Sequence, residues 1–159
     1  MKTLLRVLKW FVIGLLVVFL GMQLVRPART NPPVDESQTI FARTQMTPQV
    51  AAILERSCRD CHSNKTVWPL YSNMAPISWW MSDHVKTGRS SVNLSEWGRL
   101  APDKQDRRLR EMCDEVMDAA MPLPSYLPMH PNARLSEEDK KILCDWTDAE
   151  RERLAPREK

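Results

Sequence analysis

Cys58-Arg59-Asp60-Cys61-His62 constrains this 159-residue chain more than any other stretch. Two thiols three positions apart fall on one side of a single helical turn, and the imidazole after the second projects beside them. That trio suits iron porphyrin, because each thiol can add to one vinyl group while the neighbouring imidazole takes the metal. A zinc half-site and a dithiol redox pair also use two cysteines at this spacing. In the dithiol chemistry His62 has no axial role.

The N-terminal residues bear on the compartment. From Trp10 to Val25 every residue but Gln23 is apolar or glycine, and Leu4, Leu5, Val7 and Leu8 extend the run backwards. The total of about 20 residues is enough for a helix across a hydrocarbon core of about 30 Å. Lys2, Arg6 and Lys9 lie on its N-terminal side, where the positive-inside rule keeps them cytoplasmic. A cleaved signal peptide shares the basic start and apolar core, but residues 21–27 offer no pair of small residues at the spacing cleavage needs. The sequence therefore predicts a basic cytoplasmic tail over 1–9, an uncleaved transmembrane anchor over 10–26, and an exported remainder. The formal charge of +3 is concentrated at that anchor: residues 28–159 carry 19 basic and 20 acidic side chains, so no nucleic-acid-binding patch is implied.

Residues 27–45 begin with PARTNPPVDES and read as a proline-rich linker, followed by a folded domain over 46–155. Thr47 is a suitable N-cap with Pro48 in the first helical turn, and Val50, Ile53 and Leu54 carry the apolar face into Cys58. Residues 63–75 predict an ordered loop with buried aromatics. Pro76 opens a helix through Trp79, Trp80 and His84, with Gly88 as its stop. Ser95 is a candidate cap for a short turn, and Pro102 begins a charged helix with Leu109, Met112, Val116 and Met117 as its stripe. Met121 to Pro131 contains four prolines and cannot be a regular helix. Ser136 with Asp139 makes a capping box for a final amphipathic helix. No strand alternation of useful length and no repeat occurs, so the class is all-α. Cys113 and Cys144, each in a predicted helix, are either an exported disulfide or two buried free thiols.

The order of these parts resembles the cytochrome c fold: a first helix ending at the CxxCH turn, a proline-bearing methionine loop, and a closing helix. A closer resemblance rests on RPARTNPPVD, CRDCHSNKTVWPLYSNMAPISWWMSDHVKTGR, NLSEW and MPLPSYLPMHPNARLS, which together look like the short haem-binding domain family of bacterial membrane-anchored proteins. The resemblance implies a cytochrome c-like helical domain behind a single transmembrane helix. It also implies one covalent haem c per chain on Cys58, Cys61 and His62, installed by the cytochrome c maturation machinery.

In the cytochrome c arrangement a loop methionine before the last helix supplies the distal ligand, and the corresponding residue is Met121. The prolines at 122 and 124 would stiffen the loop that holds it. His130 is the alternative, with His84 or an open iron behind it. The second ring nitrogen of His62 is expected to donate to a backbone carbonyl near Pro69 or Pro76. Trp68 and one of Trp79 or Trp80 are expected against the porphyrin face. The expected function is a bacterial inner-membrane, single-pass protein, N-terminus cytoplasmic and haem domain periplasmic, that passes single electrons to membrane redox proteins. A haem-based redox or gas sensor is the alternative. A peroxidase-like enzyme would need an open iron and a distal acid or base, and no other catalytic pattern is evident.

Overall fold

A computed structural model describes residues 2–155, and every regular element among them is helical. The chain forms two compact units, one made of the residues up to Thr30 with Val67–His84, the other of Asn31–Thr66 with Val85 onward.

The first unit contains α1 (Lys2–Met22), an apolar helix none of whose residues is buried. It is long and apolar enough to cross a membrane, at about 1.5 Å per residue. Just past its end the Gln23 amide donates to the Phe19 carbonyl at 2.9 Å and meets both backbone groups of Ala75: Nε2 donates to its carbonyl at 3.2 Å, and Oε1 accepts from its N–H at 3.0 Å. Trp79 Nε1 donates to the Val25 carbonyl at 2.7 Å. Arg29 reaches the Ser72 carbonyl at 3.0 Å and also bonds Asn73. The predicted loop over 63–75 contains a short 3-10 turn at Leu70–Asn73.

The second unit is the helical core. α2 (Ile40–Arg43) and α3 (Pro48–Ser57) start on threonine caps, Thr39 accepting from Ala42 N–H and Thr47 from Val50 N–H. α4 (Arg59–His62) follows α3 after one residue. α5 (Ile77–Ser91) contributes its last turns, and α6 (Pro102–Met117) and α7 (Glu137–Leu154) close the unit. Ile40, Val50, Ile53, Leu54, Leu94, Trp97, Leu109, Val116, Leu143 and Trp146 form its core. Ser136 and Asp139 make the predicted capping box. Cys113 and Cys144 are joined, which welds α6 to α7.

Four local expectations change. Ile40 is fully buried, with Phe41 beside the core, so the folded unit takes in part of the segment read as a spacer; a four-residue helix is too short to show a periodicity. α5 runs through Gly88 to Ser91 instead of stopping there. The turn at Leu94–Arg99 is capped by Asn93, whose side chain accepts from the Ser95 N–H. Met117 is 56% exposed, leaving Leu109, Met112 and Val116 as the inward stripe of α6.

Candidate functional site

Cys58 sits at the junction of α3 and α4, its N–H donating to the Leu54 carbonyl at 3.1 Å and its carbonyl accepting from the His62 N–H at 3.0 Å. One helical turn thus carries Cys58, Cys61 and His62, as their spacing requires. Both thiols are free and half-buried. Burial first, and the mutual proximity of the two sulfurs second, push the Cys58 thiol up to about 12; burial and the Asp60 carboxylate push Cys61 up to about 11. Both are protonated thiols at neutral pH, unlike the lowered thiolates of dithiol redox motifs.

The His62 ring is oriented by Val92. Its Nδ1 lies 3.2 Å from the Val92 carbonyl, which leaves Nε2 as the nitrogen available to a metal. Burial holds the imidazole below its usual range, against the opposing pull of the Val92 and Gly88 carbonyls and Glu115, so the ring stays neutral, as a ligand must be. The expected carbonyl near Pro69 or Pro76 is not the one used. The orienting group comes from the residue just past α5, thirty positions along the chain.

Gly88 explains how α5 reaches this turn. A Cβ there would lie 2.6 Å from the Cys61 carbonyl oxygen and 3.3 Å from Cys61 Cβ, so the backbone approach excludes any side chain. The next residue, Arg89, fixes the segment after His62. Its Nε donates to the Ser63 carbonyl at 2.7 Å, and one Nη donates to Thr66 Oγ1 at 2.9 Å and Asn31 Oδ1 at 2.8 Å. Asn64 and Asn93 add a side-chain bond of 2.9 Å, and the Asn64 N–H donates to Ser95 Oγ at 3.0 Å. The roles of Gly88, Arg89 and Val92 towards this turn have no local signal in the sequence, since each acts across 20 residues or more.

Beside His62 lies a cavity of about 130 Å³, open on one side, with Cys58, His62, Leu94, Met112, Val116 and Met121 in its wall and Arg108, Glu111 and Glu115 at its polar part. Met121 is therefore brought to the same cavity as the CxxCH turn. Its loop is tied back to that turn: Tyr126 Oη donates to Asp60 Oδ2 at 3.0 Å, and His130 stacks on the Tyr126 ring at 3.9 Å with 7° between planes. His130 is not in the cavity wall. Trp68, Trp79, Trp80 and His84 belong to the first unit, where the Trp80 carbonyl lies 2.8 Å from His84 Nδ1.

Cys58 and a neutral imidazole in the wall of a partly apolar recess that a thioether also lines, and Cys61 on the same turn, fit a flat apolar macrocycle with a metal at its centre. They do not fit a closed zinc site: among the described residues no three His, Cys, Asp or Glu side chains converge on one point. No curated protein and no solved structure matches the chain. A family model does, across residues 17–149 and so across both units, and the chain belongs to the family it describes, the haem-binding domain family.

Proposed function

We propose that this chain is a membrane-anchored, periplasmic, monohaem c-type cytochrome-like protein that passes single electrons. One observation supports this above the others: His62, with Nδ1 occupied by Val92, and Met121 line the same apolar recess as Cys58. In this reading Cys58 and Cys61 would hold a haem through two thioether links, each S–H adding across one vinyl double bond with no oxidant needed. His62 Nε2 and Met121 Sδ would be the protein ligands to its iron. Haem so held supplies reversible one-electron chemistry at its iron. The chain's own contribution is to fix the imidazole through Val92, to hold the methionine loop through Tyr126 and Asp60, and to keep water from the recess with Leu94, Met112 and Val116.

α1 confines the domain to the inner membrane, within reach of membrane redox proteins, and the cytochrome c maturation machinery attaches the haem after export. The deciding experiment is expression of the full chain in cells that make c-type cytochromes. A denaturing gel stained for haem should show a band near 18.5 kDa, the mass of the polypeptide itself. A colourless band with the mass of the bare chain would defeat covalent attachment. Immediate binding of carbon monoxide by the reduced protein would instead indicate an open iron and the gas-sensor reading.

A further inference from the structure

The first unit carries an unusual surface. From Val67 to Ser82, sixteen residues, the sequence contains no charged side chain, although at the chain's 27% charged content about four would be expected. Five large apolar side chains of this stretch are open to solvent: Val67 is 61% exposed, Leu70 89%, Met74 51%, Ile77 43% and Trp80 45%. A cluster of that size on a folded surface marks contact with something apolar.

Its place in the fold says what. The stretch is bonded to the very end of α1: Ala75 is gripped on both its N–H and its carbonyl by Gln23, the residue after the helix, and Trp79 bonds the Val25 carbonyl two residues further on. The 21 residues of α1 give a helix of about 32 Å, close to the hydrocarbon thickness of about 30 Å. If Lys2 sits at one headgroup layer, with Arg6 and Lys9 snorkelling back towards it, Gln23 and Val25 lie at the other. Ala75 and Trp79 then share that depth, where tryptophan side chains concentrate.

We propose that residues 67–80 form an interfacial element that inserts Leu70, Ile77, Trp80 and their apolar neighbours into the lipid layer beside the C-terminal end of α1. The occupant of this surface is the acyl and headgroup boundary of the same membrane that α1 spans. This rests on the reading of α1 as a membrane span, and it assigns Trp80 to lipid instead of porphyrin. Residues 67–82 themselves bring no charge out of water, and Arg29, which bonds Ser72 and Asn73, stays at headgroup level. The span and the interfacial element together give two attachments where a helix alone would give one.

The test places a benzophenone amino acid singly at position 70, at position 12 in α1 and at position 138 on α7, all exposed, in the full chain reconstituted into phosphatidylcholine–phosphatidylglycerol vesicles. After irradiation, mass spectrometry counts phospholipid adducts. Positions 70 and 12 should each give at least about fivefold more adduct than position 138, as expected for side chains seated about 5–10 Å into the headgroup and acyl boundary or deeper. Adducts at 12 but only background at 70 would overturn the interfacial element while leaving the span intact. A chain-to-chain adduct at 70 in place of lipid would overturn it in favour of self-association. Background at both 12 and 70 would defeat the span and this proposal with it.

Discussion

Gly88 is the single position where one methyl group has the most to disturb. Its Cβ would have to occupy space 2.6 Å from the Cys61 carbonyl, and the obstruction is backbone, which cannot rotate away. Gly88→Ala is expected to destabilise the fold by about 1–3 kcal/mol, the usual range for overpacking, and to lower the haem-to-protein absorbance ratio of purified material. A thermal melt and a pyridine haemochrome spectrum measure the two effects. His62→Ala should keep the thioether links, and with them the haem stain on a denaturing gel, while abolishing the native low-spin spectrum. Cys58→Ser with Cys61→Ser should lose the stain altogether. The trio proposed to attach the haem is visible in five consecutive residues, and the structure places all three on one helical turn. The carbonyl of Val92 was not, since a backbone group has no identity in the sequence and its role depends on where α5 ends.

Two devices that order whole elements make separate predictions. The Cys113–Cys144 bond closes a loop of 31 residues between α6 and α7, and chain-entropy arguments assign such a loop about 3 kcal/mol. Reduction, or Cys113→Ala with Cys144→Ala, should lower the melting temperature without removing the haem stain. Tyr126→Phe removes the bond from the methionine loop to Asp60; a bond to a carboxylate contributes about 1.5–3 kcal/mol. That variant should weaken methionine ligation, read as partial loss of the methionine-to-iron charge-transfer band and faster carbon monoxide binding. At α7, burial would raise the Asp139 carboxyl, but the Ser136 N–H and hydroxyl and the Arg56 guanidinium, 2.7 Å away, outweigh it and hold it below its ordinary value. A folded-state value lowered in this way adds stability above the unfolded value, and the addition is lost as pH falls through the folded one. Asp139→Ala should therefore cost about 1 kcal/mol at pH 7, with the gap closing in acid, as urea melts across that range would record. The helix starts at Thr47 and Ser136 were readable because caps are local. Ile40 and the continuation of α5 past Gly88 were not, because burial and close approach decided them.

For the molecule as a whole, the expected behaviour is retention in the membrane fraction after alkaline carbonate washing, which strips peripheral proteins and leaves spanning helices. Release into the supernatant would remove the anchor from the account. The all-helical class and the order of parts followed from periodicity, capping and proline placement along the sequence. The number of tryptophan rings is visible in the sequence, but not the division that puts Trp97 and Trp146 in the core of one unit and Trp68, Trp79 and Trp80 in the other.

The bond between Cys113 and Cys144 also sorts the sulfur chemistry of the chain. Of four cysteines, it holds two in a linkage between separate helices and leaves the pair at 58 and 61 as free thiols. An oxidising surrounding can close those neighbours on each other, and the thioether attachment proposed above would then require a reductant to reopen that short loop first.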